Sequence, residues 1–201
     1  MAVPTGTASL ANIQTEFGGS NPISLSEYYG IASNPSGVPA SGAISINNFR
    51  GKAKLTPFRY LRWRITNNGG EPYCQAAEFV LMQGGTIVNY SSLCTASNPG
   101  YSNAGGTGPT SVMDGNNSTK WFTWQPTPTL IFDFGVTNIL RTFTQYRYTT
   151  ANDFPGRYPR QWYVEASVNN STWSQVHFRA YAGITGTRFA NAGTWALTWP
   201  P

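Results

Sequence analysis

Beyond Lys54 the hydrophobic pattern of this chain has a period of two. In Pro57–Thr66, Leu61, Trp63 and Ile65 fall on one face and Tyr60, Arg62 and Arg64 on the other. Ala77, Phe79 and Leu81 alternate in the same way, as do Leu130, Phe132 and Phe134, and then Trp162, Val164, Ala166 and Val168. Alternation of this kind marks strands with one buried face, and here they are separated by Gly, Pro and Asn turns. No helical period competes with it beyond Lys54. The pattern predicts an all-β, two-layered sandwich of jelly-roll type.

The first 53 residues have a different texture. Ser9 precedes Leu10, Ile13 and Phe17, which share one helical face, and Gly18-Gly19 follows. This predicts a short helix with Ser9 as its N-cap and a glycine stop. A repeat then appears with an offset of 21 residues: Ile23-Ser-Leu25-Ser-Glu-Tyr28-Tyr-Gly30 returns as Ile44-Ser-Ile46-Asn-Asn-Phe49-Arg-Gly51. Each copy is expected to form a brief strand, a capped helical turn, an aromatic and a glycine stop, with a loop over Asn34–Gly42 between them. So few apolar residues predict little core, and the segment is expected to fold against a partner or another copy. The division expected is therefore 1–53 for a docking segment and 54–201 for the sandwich.

Charge and composition narrow the function. Charged residues make up 10% of the chain, and the 13 Lys and Arg against 8 Asp and Glu are scattered rather than clustered. A nucleic-acid footprint needs a basic stripe, so no nucleic-acid partner is expected. No apolar run is long enough to span a bilayer, so no membrane insertion is expected. The N-terminus has neither a basic region nor an apolar core, so a secretory signal is not expected. Cys74 and Cys94 either pair in an oxidising compartment or pack as two separate thiols.

Enzyme chemistry finds little support. His177 is the one histidine, and its strand context reads as a packing or surface position. Nucleophilic triads need a histidine placed beside a Ser or Cys. A glycosidase needs two carboxylates facing each other across a cleft. Asp133, in the Asp-Phe-Gly turn, and Glu165, on an expected solvent face, do not suggest a pair. The expectation is a protein without catalysis.

The order of motifs from Met113 to Trp173 is more informative. An Asp114-Gly turn is followed by Thr119 and Trp121; a strand ends Asp133-Phe-Gly135; the Arg157-Tyr-Pro159 loop feeds a Trp162-anchored strand closing on Asn169-Asn-Ser-Thr-Trp173. This order resembles the discoidin family (coagulation factor 5/8 type C), eight-stranded β-sandwiches that bind glycans and other surface ligands. In that family a strand with an Arg-Tyr-hydrophobic-Arg pattern, followed by a Glu-hydrophobic pair, normally closes the domain. Here Arg59-Tyr60-Leu61-Arg62 and Glu78-Phe79 come before the Asp-Gly turn, so the resemblance implies a circular permutation, with Thr187–Trp199 as a replacement edge strand or end-piece.

The resemblance also implies sites. In many glycan-binding relatives the Asp and Thr of the Asp-Gly turn join a Glu to hold a structural calcium; the matching residues here are Asp114, Thr119 and Glu78. Oxygen ligands of this kind suit Ca²⁺; the competing reading has Asp114 capping its own turn. Ligands would be held by loops at one end of the sandwich, where Tyr101, Trp124, Arg157 and Tyr158 offer aromatic faces and a forked donor. Against these, Arg157 could instead brace its loop through Asp153. Trp121, Trp162 and Trp173 are expected in the core.

Finally, Ile23–Gly30 with the preceding Glu16-Phe-Gly-Gly19 looks like a short segment recurring in virion proteins of tailed bacteriophages. The favoured reading is a tail-fibre, tail or baseplate protein, present in many copies on the particle and assembled in the host cytoplasm. Residues 1–53 would contact other virion proteins, and the sandwich would bind host-surface glycan. The alternative is a purely structural virion component (capsid decoration, tail or baseplate subunit) whose sandwich makes protein–protein contacts.

Overall fold

The computed structural model describes residues 2–29, 37–135, 139–181 and 183–200. It divides into two compact units, Met1–Pro57 and Phe58–Pro200. Gly30 of the first repeat and Asn34–Ser36 of the loop after it lie outside the described residues.

In the first unit, helix α1 (Leu10–Phe17) begins where Ser9 accepts a hydrogen bond from the Asn12 amide at 3.2 Å. It ends at Gly18, whose φ of 81° an L side chain rarely adopts. Each repeat forms a single 3₁₀ turn, Leu25–Tyr28 and Ile46–Phe49, entered from Ser24 and Ser45. The brief strands expected there are absent among the described residues. A local cap takes up the backbone instead: Glu27 accepts from the Ser24 amide at 2.9 Å, and Asn48, 21 residues on, accepts from the Ser45 amide at 2.7 Å.

The repeat explains how so short a segment makes a core. It sets Tyr28 and Phe49 edge to face at 5.5 Å, and both rings pack edge-on to Phe17 at 6.1 and 5.7 Å. With Val3 and Ile13 they form a buried cluster. The expectation of a nearly coreless segment is thus corrected, because three aromatics bury far more area than their number suggests.

The second unit is a sandwich of antiparallel strands. One sheet has five: β1 (Tyr60–Asn67), β5 (Thr95–Ser97), β7 (Thr129–Asp133), β9 (Gln161–Ser167) and β10 (Ser174–Arg179), in the order β10-β9-β1-β7-β5. The other has β3 (Glu78–Gln83), β4 (Thr86–Ile87), β8 (Gln145–Thr149) and β11 (Asn191–Ala196), in the order β11-β8-β3-β4. A two-stranded ribbon, β2 (Cys74–Ala76) with β6 (Trp121–Thr123), completes it. Of the expected Thr187–Trp199 strand, Asn191–Ala196 forms, at the sheet edge beside β8.

The predicted inward faces meet in the core. Trp63, fully buried, lies 5.0 Å from Phe79, 5.3 Å from Tyr148 and 6.0 Å from Trp162. Trp162 Nε1 donates to the Tyr146 hydroxyl at 2.7 Å, joining the two sheets through a buried polar contact. Val168 departs from the pattern: β9 ends at Ser167 and Val168 is exposed. Trp173 also departs, being half-buried beneath the Arg62 guanidinium at 4.2 Å. Among the described residues no helix is long and apolar enough to cross a membrane.

Candidate functional site

Three loops at one end of the sandwich bring aromatic rings together. Tyr73 precedes β2, Trp124 follows β6, and Phe154 and Arg157 belong to the β8–β9 loop. Trp124 packs edge-on to Tyr73 at 5.1 Å and to Phe122 at 4.9 Å, yet stays 49% exposed. The Arg157 guanidinium lies 3.9 Å over Phe154, 5.1 Å over Tyr73 and 5.4 Å over Phe122. Phe154 is 54% exposed and has a φ of 38°, in the left-handed region where a bulky residue is strained.

A part-buried network holds this arrangement. Gln75, fully buried on β2, donates to the Asp153 carbonyl. Lys120 Nζ donates to Gln75 Oε1 at 3.1 Å and to Asp153 Oδ1 at 2.8 Å. Burial alone would raise the Asp153 carboxyl, but hydrogen bonds from Lys120 and Gln75 outweigh it and hold it below the usual range. Lys120, and not Arg157, is therefore the partner of Asp153. Arg157 is left on the rings.

Adjoining these loops, through Glu71 against Gly156 and Pro72 next to Tyr73, is an open groove of about 420 Å³ lined by Thr66, Asn67, Asn68, Gly70, Glu71, Pro72, Pro126 and Thr127; the rings and Arg157 stand outside its lining. Tyr101 lines an adjoining groove with Arg64, Ile65 and Thr129, and the two grooves share Thr66 and Thr127. Of the four ligand-contact candidates, then, Trp124 and Arg157 converge and Tyr101 stands next door. Tyr158 is corrected: it is fully buried and its hydroxyl donates to the Ala151 carbonyl at 2.7 Å, because it closes the loop from within. Sequence reasoning missed Tyr73, Phe154 and Glu71. An aromatic inside the turn-rich Asn152-Asp-Phe-Pro-Gly156 stretch was the one available signal.

The three calcium candidates also meet. Thr119 Oγ1 donates to Asp114 Oδ2 at 2.7 Å, and the Asn116 amide donates to Asp114 Oδ1 at 2.8 Å and to Glu78 Oε1 at 3.0 Å. Asp114 thus does cap its own turn, as the competing reading has it, while touching Glu78. Burial, reinforced by the Asp114 carboxyl, pushes Glu78 up to about 8. Two carboxyls in contact must share a proton or a cation. The donors are all oxygen, the set a hard cation prefers, so the residues fit Ca²⁺. Among the described residues no three His, Cys, Asp or Glu side chains gather to hold a metal; this set has two carboxyls and a hydroxyl.

Glu165, Asp133 and His177 are engaged structurally. Glu165, expected on a solvent face, is buried beneath Arg62 and Arg64, whose Nε atoms lie 2.7 and 2.9 Å from it. Asp133 pairs with Arg59 at 2.7 Å. His177 packs edge-on to Tyr146 at 5.4 Å, and burial holds its pKa down. Glu78 and Asp114, in hydrogen-bonding contact, leave no room for a sugar between them, as a glycosidase pair must. Both cysteines are free; burial raises the Cys74 thiol and pushes Cys94 up to about 12.

Compared with known proteins, residues 94–195 match the model of the F5/8 type C domain. The match begins after β4 and so leaves β1, the middle strand of the five-stranded sheet, outside it. No curated protein and no solved structure matches the chain.

Proposed function

Since this chain belongs to the F5/8 type C (discoidin) family, whose domains commonly bind carbohydrate or protein and are generally not catalytic, we propose that it is a carbohydrate-recognition module. The observation that carries this reading is the pair of exposed rings, Trp124 and Phe154, beside a groove lined by Asn67, Asn68, Glu71 and Thr127. Sugar C–H faces stack on aromatic rings, and amides, hydroxyls and a carboxylate bond to sugar hydroxyls. The part-buried Lys120–Gln75–Asp153 network supports the reading, since a preorganised site loses less entropy on binding.

The setting we propose is a tailed-phage virion. Support comes from the likeness of Ile23–Gly30 to segments of such proteins; the first unit would dock onto the particle and the sandwich would meet host-surface glycan. Many copies on one particle make a single-site affinity of ~1 mM, about −4 kcal/mol, sufficient once several sites engage together. We also propose that Glu78, Asp114 and Thr119 hold a structural Ca²⁺, and that the domain is circularly permuted. Support for the permutation is that β1, which carries Tyr60–Arg62 early in the chain, pairs between β9 and β7.

The test is a glycan array and whole-cell binding assay with the full chain displayed multivalently. Binding lost on Trp124→Ala, from a variant that melts like the parent, supports recognition at this site. A folded protein that binds no glycan and no host cell refutes it.

A further inference from the structure

The chemistry of the groove's ligand can be taken one step further, on the footing of the carbohydrate reading above. Among the described residues, Arg59 pairs with Asp133, Lys120 with Asp153, and Arg62 and Arg64 together with Glu165. Arg157 belongs to none of these ion pairs, and its buried Nε has no hydrogen-bond partner. Its charge is set instead against the faces of Phe154, Tyr73 and Phe122. Stacking fixes the plane of a guanidinium and leaves its in-plane N–H donors unspent.

Other charges near the loop do not cancel it. Asp153, which faces Arg157 electrostatically, already accepts a hydrogen bond from Lys120 at 2.8 Å. Glu71 lines the groove with its side chain against Gly156, the residue before Arg157, but forms no ion pair with Arg157 among the described residues and suits sugar hydroxyls. Arg147, Arg160 and Arg179 also lack a partner for Nε, but only Arg157 stands on the rings that flank the groove.

We infer that the site takes an anionic saccharide, with its oxyanion on Arg157 and its ring face against Trp124 or Phe154. A planar carboxylate matches the guanidinium fork, and a sulfate ester offers the same oxygens, so the source of the oxyanion is a question for the probes. Strained backbone at Phe154 holds that ring out beside the cation.

The experiment measures binding of the full chain to matched polymers: polygalacturonate against its carboxyl-reduced form, and a sulfated galactan against its desulfated form. Salt is kept near physiological strength so that diffuse charge attraction is screened. The expected result is about tenfold tighter binding of the anionic member of one pair, the pair naming the oxyanion. Arg157→Gln should bring the two members within about twofold, while Trp124→Ala should weaken both. Thermal melts of both variants confirm folding. Equal binding of the members by the parent overturns anion selectivity and leaves the carbohydrate reading standing. A preference that survives Arg157→Gln also overturns it, assigning selectivity to the overall net charge of +5. Binding of no polymer overturns the anionic-saccharide inference, while the carbohydrate reading stands or falls on the glycan array and host cells.

Discussion

Gly69 and Gly156 lie back to back: a Cβ on Gly69 would stand 2.5 Å from the Gly156 Cα, and one on Gly156 would stand 2.8 Å from Glu71 Cγ. This contact sets the Asn67–Tyr73 loop against the loop carrying Phe154 and Arg157. Because the atoms in the way at Gly69 are backbone, an alanine there has to move a whole loop. Gly69→Ala should cost about 1–3 kcal/mol of stability and weaken ligand binding about tenfold. Gly105→Ala, where nothing lies within 4 Å, should do neither. Paired thermal melts and binding titrations check this, and a Gly69→Ala protein that binds normally would remove the loop contact from the account.

The Glu78–Asp114 pair predicts a metal response. Glu78 titrates at about 8 when folded, above roughly 4.3 for an unfolded glutamate. The folded state therefore holds the proton more tightly, so this group's stabilisation is full below pH ~4.3 and fades as pH rises towards 8. In metal-free buffer Glu78→Gln should melt higher than the parent at pH 8 and more nearly like it at pH 4. Millimolar CaCl₂ should raise the parent's Tm and release protons, and Asp114→Asn should abolish both effects. A Tm unmoved by calcium or by chelation would rule out the ion.

Glu165 predicts the opposite limb. Its burial would raise its pKa, but hydrogen bonds from Arg64 and Arg62 more than offset that and hold it low. A depressed carboxyl stabilises above the unfolded value and loses that contribution as pH falls through the folded one. Glu165→Gln should cost about 2 kcal/mol at pH 7, because two guanidinium donors lose their charged acceptor. The gap from the parent should close as pH drops below about 4. Urea melts at pH 7 and pH 3 measure it; an equal gap at both would show that the loss is packing alone.

The division into units predicts independence. A chain starting at Phe58 should unfold in one cooperative transition and keep the parent's glycan affinity, since every residue of the groove lies in Phe58–Pro200. The same truncation should fail to incorporate into particles if Met1–Pro57 docks the protein. Incorporation of the truncated chain, read by gradient sedimentation, would refute that role.

The regular parts of this molecule were legible in its sequence because they obey local rules. Alternation at Leu61, Trp63 and Ile65 reports which side of a strand leaves water, whatever strand lies beside it. Ser9 and Gly18 bound a helix through hydrogen bonds within a few residues. The Asp114 turn and the family pattern around it were visible for the same reason, and Glu78 was placed beside them by resemblance.

Tertiary structure decided what depends on distance in space. Val168 continues the alternation but falls past the end of β9, and Trp173 lies under Arg62 where a core position was expected. Tyr158 and Phe154 are both aromatics of one loop; a left-handed backbone turns one outward, and a hydrogen bond to Ala151 closes the other in. Lys120 takes Asp153 from Arg157 although it lies 33 residues away from it in the chain. Periodicity registers burial against a neighbouring layer, whereas a binding site is made where loops distant in sequence meet. The strands could therefore be read from the chain, and the side chains of the groove could be assembled only by the fold.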